Sequence, residues 1–443
     1  MVIVGGGAAG TLVGIQLLTR STASGRAIDI DLVERTGTPG RGVAYHHGEV
    51  DWLMNTPIGR VSAFADDPEH LLRWARARAP RLRRADFLPR ARYGDYLAHT
   101  LAEAGNRASG HARLMLRRGA VTEIRCSSDG YTVELADGSV RAADLVVLAT
   151  GNPPAARSRS ARWITDPWTG DLDRIDGSAP VLLVGTGLTM VDVAFRLEAR
   201  FPEVTMVASS RHGLLPRRHR LRCGHSDHRP AVERILGSRS LSGLVSSVRS
   251  EVRAVPGCWR EIVDELRPHT QLLWDRSTMP ERARFLRRFG RFWDVHRHRL
   301  PPESAARLDR LLARDRLRIR SGAIGRVTER PEGIVAEANR GGAREWIQAG
   351  WVVDCTGLTG LPDSADALWP RLVRTGLARW EPLRIGADAD ELGRLRSRDG
   401  CAQARLLTLG APLRGTRFET TAIPEIRAQA DALSACIFRE FYR

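Results

Sequence analysis

Met1-Val2-Ile3-Val4-Gly5-Gly6-Gly7-Ala8-Ala9-Gly10 opens the chain and decides how the rest of it is read. A short apolar run meets a Gly-x-Gly-x-x-Gly turn, and a helical pattern follows through Thr11, Leu12, Val13, Ile15, Leu17 and Leu18. Each glycine has a physical reason. Gly5 permits the tight turn, Gly7 lets a pyrophosphate approach bare backbone, and Gly10 lets the helix lie close to the strand. The helix N-terminus offers unpaired N–H groups and a positive dipole end to phosphate. A second apolar run, Ile28 to Val33, ends in Glu34, where a carboxylate can hydrogen-bond a ribose hydroxyl of an adenosine dinucleotide. A glycine fingerprint alone is weak evidence. Strand, glycines, helix, strand and acid in that order specify a dinucleotide site.

At 443 residues the chain is too long for one ordinary core, and two or three domains are expected. No segment approaches the length of a membrane span. The N-terminus lacks the basic n-region of a signal peptide, so a cytoplasmic location is expected. The six cysteines (Cys126, Cys223, Cys258, Cys355, Cys401, Cys436) form no Cys-x-x-Cys pair, which indicates neither a disulfide framework nor a dithiol redox centre. The formal net charge is +17, and all 68 Lys+Arg residues are arginine. A lysine Schiff base, a lysine general base and a Walker-type lysine are therefore excluded. The arginines are dispersed without a nucleic-acid-binding motif, so the charge is assigned to anionic cofactors and substrates rather than to nucleic acid.

After Glu34 come Gly40-Arg41-Gly42-Val43-Ala44-Tyr45 and Leu53-Met54-Asn55-Thr56-Pro57. Arg41 is placed to meet a pyrophosphate, and Tyr45 and Asn55 to meet a flavin ring; a plain loop over the first domain is the competing reading. Residues from about Leu114 to Gly151 read as a β-meander that closes in Leu145-Val146-Val147-Leu148-Ala149-Thr150-Gly151. The pattern recurs from Ile324, closing in Trp351-Val352-Val353-Asp354-Cys355-Thr356-Gly357, which suggests duplicated architecture.

Between the meanders lies a second turn, Gly185-Thr186-Gly187-Leu188-Thr189-Met190, entered by Val181 to Val184. Met190 replaces the third glycine, so this helix should pack less closely on its strand. The following strand, Val204 to Ala208, ends in Ser209-Ser210-Arg211 with no acid. Serine and arginine suit a 2′-phosphate that an acid would repel. The first unit is thus read as an FAD site and the second as an NADPH site.

Residues from about 223 to 314 read as a helical insertion, with helical patterns over Val232 to Val252, Glu261 to Leu266, Pro280 to Phe292 and Ser304 to Leu312. Cys223 to His228 offers metal-ligating residue types, but no second cluster has ligand spacing, and no metal is assigned. The run Trp293-Asp294-Val295-His296-Arg297-His298-Arg299 can meet an anionic substrate or the NADPH phosphates; it also reads as a solvated helix end. Near the C-terminus, Leu409-Gly410-Ala411-Pro412 precedes Phe418 to Glu425 and a final helix, with Pro424 in its first turn.

These pieces together resemble the two-dinucleotide-binding flavoproteins. Within them, the chain is similar to an FAD/NAD(P)-binding protein family related to flavin-dependent N-hydroxylating and Baeyer–Villiger-type monooxygenases. The resemblance rests on Gly5 to Gly10, Gly42 to Tyr45 with Leu53 to Pro57, and Tyr93-Gly94-Asp95-Tyr96. It continues through Gly185 to Asp192, Ser210 to Pro216, Trp293 to Arg299 and Phe418 to Glu425. It implies flavin-dependent oxygenation of small polar molecules; relatives hydroxylate urate or N-oxidise amino acids such as aspartate. One departure is that Gly410-Ala411-Pro412 stands where reductase relatives carry Gly-Asp near the flavin, which puts carry-over of their flavin contacts in doubt.

The expected fold is α/β, with two Rossmann-like dinucleotide-binding domains, β-meanders, and a helical insertion in the second. The FAD domain is expected from residues 1–155 and 345–443, and the NADP domain from 178–344 with its cap at about 223–314. The expected cofactor contacts are Gly5, Gly7, Gly10, Glu34, Arg41, Tyr45, Asn55, Thr150, Gly151 and Gly410 for FAD. For NADPH they are Gly185, Gly187, Ser209 and Arg211, and Gly357 is a further cofactor contact. Arg217, Arg297 and His298 are candidates for substrate contacts, and no general base is identifiable. The expected activity is an NADPH-using, FAD-dependent oxidoreductase, a monooxygenase acting with molecular oxygen on a small polar substrate. An NADPH-dependent flavin reductase with an external acceptor, or a non-catalytic nucleotide-binding regulator, would share the same sites.

Overall fold

The computed structural model describes residues 1–46, 52–152, 160–168, 170–220, 228–255, 257–357, 360–363 and 367–442. The loop from Cys223 to Asp227 lies outside the described residues. The chain begins with β1 (Val2–Val4), α1 (Ala8–Ser24), β2 (Ile28–Glu34), α2 (His70–Arg76), α3 (Arg90–Ala108) and β3 (Ala112–Arg118). A meander follows, β4 (Val121–Ser127), β5 (Gly130–Leu135) and β6 (Val140–Ala143), and then β7 (Val146–Leu148). A second unit starts with β8 (Trp163–Ile164), β9 (Val181–Val184), α4 (Leu188–Arg200) and β10 (Met206–Ser210). Its helical insertion comprises α5 (Arg229–Leu236), α6 (Leu241–Ala254), α7 (Trp259–Leu266), α8 (Thr270–Arg276), α9 (Met279–Arg288) and α10 (Gly290–Arg297). Next come α11 (Pro302–Ala313), β11 (Leu317–Ser321), the meander β12 (Ala323–Arg330), β13 (Gly333–Arg340) and β14 (Ala343–Ala349), and β15 (Trp351–Asp354). The chain returns to the first unit with α12 (Leu368–Thr375), β16 (Arg394–Arg396), β17 (Ala402–Thr408) and α13 (Ile423–Phe441).

The first unit comprises Met1–Ala155 and Leu358–Arg443, and the second Ala156–Gly357. The return thus falls at Gly357 rather than at 345. Residues 345–357 stay with the second unit because β14 pairs with β13 and β15 lies parallel to β9. The second unit also begins earlier than 178, since β8 edges its sheet beside β15.

The two larger sheets share a parallel plan, to which the first adds antiparallel β16 at its edge. The first runs β16-β17-β7-β1-β2-β3 and the second β11-β10-β9-β15-β8. In each, the chain lays three strands in one direction, inserts an antiparallel meander, and crosses to the other side of its first strand. The switch points lie between β1 and β7 and between β9 and β15, and ligands of such sheets bind outside the carboxyl ends at these points.

The first sheet is covered by a helix whose residues Ala9–Leu18 are all buried. Leu12, Val13, Ile15, Leu17 and Leu18 of α1 are all inaccessible. They pack with Ile3, with Leu97 and Leu101 of α3, and with Ile426, Ala430, Leu433 and Ile437 of α13. Each such side chain contributes about 1.5–3 kcal/mol on burial. The Arg20–Asp431 ion pair between α1 and α13, at 2.7 Å, is half exposed and contributes about 0–1 kcal/mol. Apolar contact therefore docks the C-terminal helix, and with it the loop before it, onto α1.

In the second unit, the Val232 to Val252 pattern is two helices, because Ser240 N-caps α6 through a bond from Gly243 N and so breaks the run. Val232, Ile235, Ile262 and Leu266 form the insertion's own small core. The helix at Ser304 to Leu312 is not part of that insertion. It is α11, the crossover that parallel strands β10 and β11 require, and Arg307 ties it to Glu198 of α4 at 2.6 Å. No described helix is long and apolar enough to cross a membrane.

Candidate dinucleotide sites

At the first turn, Gly5 has φ +101°. Its N–H donates to Val33 O at 2.8 Å, and a Cβ there would drive into the Ala149 carbonyl. A Cβ on Gly10 would collide with the Gly5 carbonyl oxygen, so the third glycine is required by the closeness of helix and turn. Gly7 differs: its nearest neighbour across the turn is Gly42 Cα, 3.6 Å from a built Cβ. Gly7 N-caps α1 without a side-chain cap, so the first-turn N–H groups lack a side-chain acceptor. Glu34 Oε2 accepts the Gly6 N–H at 2.7 Å. The Gly40–Gly42 loop is strapped on by the Gly40 N–H, which donates to Gly6 O and to Thr11 Oγ1, both at 2.8 Å.

The second turn repeats this backbone. Gly185 has φ +113°, donates to Ser209 O at 2.7 Å, and leaves no room for a Cβ beside the Cys355 carbonyl. Gly187 N-caps α4, and a Cβ on it would meet nothing within 4 Å. Since Gly5 pairs with Val33 and Gly185 with Ser209, the residue equivalent to Glu34 is Ser210. This corrects the assignment of Ser209, which is inaccessible and donates its hydroxyl to Gly322 O at 2.8 Å. Ser210 is also engaged. Thr186 Oγ1 donates to Leu214 O at 2.6 Å, so the 2.8 Å Ser210–Thr186 bond uses the Ser210 proton. Ser210 Oγ in turn accepts the Gly213 N–H at 3.1 Å. Ser210 thus holds the turn and its loop, as Glu34 does, and the exposed Arg211 is left as the charge that can read a phosphate.

Residues 2–153 match the model of an FAD-NAD(P)-binding family. The whole chain has the fold of the two-domain flavoproteins. It is similar to the ornithine hydroxylase of Pseudomonas aeruginosa (TM-score 0.65, 14% identity, 99% of this chain and 98% of that one). It is also similar to an ornithine N-hydroxylase from Kutzneria sp. 744, solved with reduced FAD, NADP+ and L-ornithine (0.64, 14%, 99% and 98%). The thioredoxin reductase of T. acidophilum is likewise similar (0.53, 12%, 100% and 98%). No curated protein matches in sequence.

The remaining expected FAD contacts fall into two groups. Arg41 lies in the loop over the turn, but its guanidinium is paired with Asp95 at 2.9 Å. Tyr45 packs at a tilt of 59° on buried Tyr93 with ring centroids 5.1 Å apart, and burial pushes its phenol up to about 12. Half-buried Asn55 follows Met54, whose N–H is fixed to Leu88 O at 2.8 Å. Thr150 and Gly151 follow β7; the Thr150 hydroxyl accepts from Trp369 Nε1 at 3.1 Å, while Gly151, at φ +68°, has open space. Gly357 repeats this at φ +97° after β15. Gly410, distant in sequence, reaches the first turn: a Cβ on it would lie 3.8 Å from Ala9 Cβ. Its N–H donates to Gln429 Oε1 at 2.8 Å and its carbonyl accepts from Thr420 at 2.9 Å, which anchors the loop to α13. Beside Gly415, Glu381 is 2% exposed and accepts the N–H groups of Leu383 and Ile385 at 2.7 and 2.6 Å. Burial raises its carboxyl above the usual range. No sequence signal marked Glu381 or Trp369.

Of the candidate substrate residues, Arg217 lies against the segment that carries Arg297 and His298. Arg217 is exposed, and its N–H and carbonyl pair with Val295 and Leu300 at 2.9 and 2.8 Å. Arg297 is 8% exposed, which removes it from a solvent-facing substrate surface. His298 is half-buried at the end of α10. Arg299 is neutralised by Asp264 at 2.9 Å. His296 was missed as an individual residue. Burial lowers its pKa, and Arg217, Arg299 and Arg260 add to the shift.

Proposed function

We propose that the protein is an FAD-dependent, NADPH-using monooxygenase that hydroxylates a small polar substrate. One observation carries the reading: two turns with the same backbone geometry differ in charge where dinucleotide sites read the adenosine ribose. Glu34 suits a free ribose diol, and Arg211 suits a 2′-phosphate. In the first site, Gly7 and the N-terminus of α1 hold the pyrophosphate, Glu34 the ribose, and Tyr45, Asn55, Gly151 and the Gly410 loop flank the ring. In the second, Gly187 and α4 hold the pyrophosphate, and Arg211 the 2′-phosphate. A bound flavin supplies hydride acceptance and oxygen activation. The chain's residues bind, orient and exclude water, with Arg217 and His298 as contacts for a polar substrate. The likeness to hydroxylases of ornithine supports a small polar substrate and oxygen as co-substrate.

The test is NADPH oxidation by purified, FAD-loaded protein across candidate amines and amino acids, with oxygenated product and peroxide both quantified. One oxygenated product per NADPH supports the reading. NADPH oxidation that always ends in peroxide or a reduced external acceptor replaces it with a reductase, and no oxidation at all replaces it with a binding protein.

A further inference from the structure

The elbow between α9 and α10, Phe289-Gly290-Arg291-Phe292, touches both rims of the second glycine turn. On the β15 side, Arg291 Nη2 donates to the Thr356 carbonyl at 3.0 Å. Thr356 adjoins the turn: its amide nitrogen lies 3.0 Å from a Cβ built on Gly185. On the β10 side, the Phe292 ring packs on His212 with centroids 5.5 Å apart, in the loop that begins at Ser210. His296 Nδ1 bonds the Phe292 carbonyl at 2.7 Å and steadies the elbow from within α10.

The guanidinium at this elbow keeps donors and charge in reserve. Its nearest carboxylate oxygen, on Asp294, is 3.7 Å away, and the side chain is 49% exposed. Of the five N–H donors in the planar fork, one serves Thr356. Above Gly187, the turn itself leaves open space where a pyrophosphate belongs.

We propose that Arg291 is a pyrophosphate-binding residue of the second site, delivered by the helical insertion, with Phe292 seating it against His212. This rests on reading that turn as a nicotinamide dinucleotide site. The pyrophosphate is common to NADPH and NADH, so Arg291 serves both, whereas Arg211 serves only the phosphorylated form.

The experiment titrates FAD-loaded protein with NADP+, NAD+ and 2′-phosphoadenosine, the last of which has the 2′-phosphate but no pyrophosphate. Arg291→Ala weakens NADP+ and NAD+ by the same factor, about ten-fold for one charge-assisted contact, and leaves 2′-phosphoadenosine unchanged. Arg211→Ala weakens NADP+ and 2′-phosphoadenosine and spares NAD+. Arg291→Gln keeps a donor for the Thr356 carbonyl and removes the charge, so it preserves the fold contact; it should lose dinucleotide affinity as Arg291→Ala does. Wild-type affinity for all three ligands in Arg291→Gln overturns the proposal and leaves Arg291 as a structural staple. Loss confined to NADP+ and 2′-phosphoadenosine overturns it in favour of 2′-phosphate reading. A wild type that binds neither dinucleotide defeats the underlying reading of the second turn and the proposal with it.

Discussion

At Gly5 and Gly185 the backbone solves one problem twice, and at Glu34 and Ser210 the side chains solve another in different ways. Both glycines adopt positive φ, both donate to the strand beside them, and both abut a carbonyl of the crossing strand. The shared geometry follows from the βαβ plan and needs only glycine and an apolar strand. On the proposed reading, the position at the end of the second strand has a double duty in each unit. It ties the residue after the first glycine in place, and it sets the charge that a ligand meets. A carboxylate does both in the first unit. In the second, a hydroxyl does the tying and the next residue, Arg211, supplies the charge.

The sharpest test of this pairing is to block each turn separately. Gly7→Val fills the space that a pyrophosphate needs, and the purified protein should lose its FAD while keeping its far-ultraviolet circular dichroism. Gly187→Val should stay yellow and lose reduction by NADPH. Flavin loss in both variants, or in neither, would mean that the two turns do not serve separate ligands.

The third position of the motif sharpens the contrast next. A side chain at 10 collides with Gly5, whereas Met190 fills the equivalent slot completely buried. Gly10→Ala should destabilise by overpacking, about 1–3 kcal/mol. Met190→Ala should destabilise by about 2–5 kcal/mol through the cavity it leaves. Denaturant melts of both variants check this. A neutral Gly10→Ala would show that helix and turn are looser than the Gly10 geometry requires.

Arg211→Ala tests the charge contrast. The variant should raise the NADPH Michaelis constant roughly ten- to a hundred-fold and leave NADH nearly unchanged, in paired steady-state titrations at fixed ionic strength. Equal losses with both nicotinamides would remove Arg211 from the 2′-phosphate.

The duplicated sheets were legible because their signals are local: an apolar run, glycines at fixed offsets, a Thr-Gly after each closing strand. The Ser209 assignment failed because strand ends are read to within a residue, and one residue turns a side chain from ligand to core. Only the pairing of Gly185 with Ser209 fixes that register. Arg297 is buried at the end of α10, and the alternation of His and Arg does not show which of those side chains turn inward. Glu381 and Trp369 could not be seen at all, since a lone acid and a lone tryptophan acquire their roles from partners far away in sequence. The boundary at Gly357 likewise depends on the pairing of β15 with β9, which is long-range.

The smallest predicted effect compares one histidine in each unit on acidification. His70 bonds the Tyr96 hydroxyl at 2.8 Å, and His296 bonds the Phe292 carbonyl. Burial is the first cause that lowers the pKa of each. Around His70 the charges are mixed, with Asp67 and Glu103 opposing the shift and Arg73 and Arg107 adding to it. Around His296, the bond to the Phe292 carbonyl opposes the shift and Arg217, Arg299 and Arg260 add to it. A folded-state value below the unfolded one means that the unfolded chain binds more protons between the two. Stability is then full above the ordinary histidine value of about 6.5 and falls as the pH drops through the lower folded value. Thermal melts from about pH 7.5 to 5.5 bracket that window. His296→Gln should flatten the acid loss of Tm more than His70→Gln does, because Arg217, Arg299 and Arg260 add to the shift of His296 whereas Asp67 and Glu103 oppose that of His70. A Tm that rises on acidification would contradict the sign, and a His296→Gln profile parallel to wild type would mean that this imidazole binds protons equally in the folded and unfolded chain.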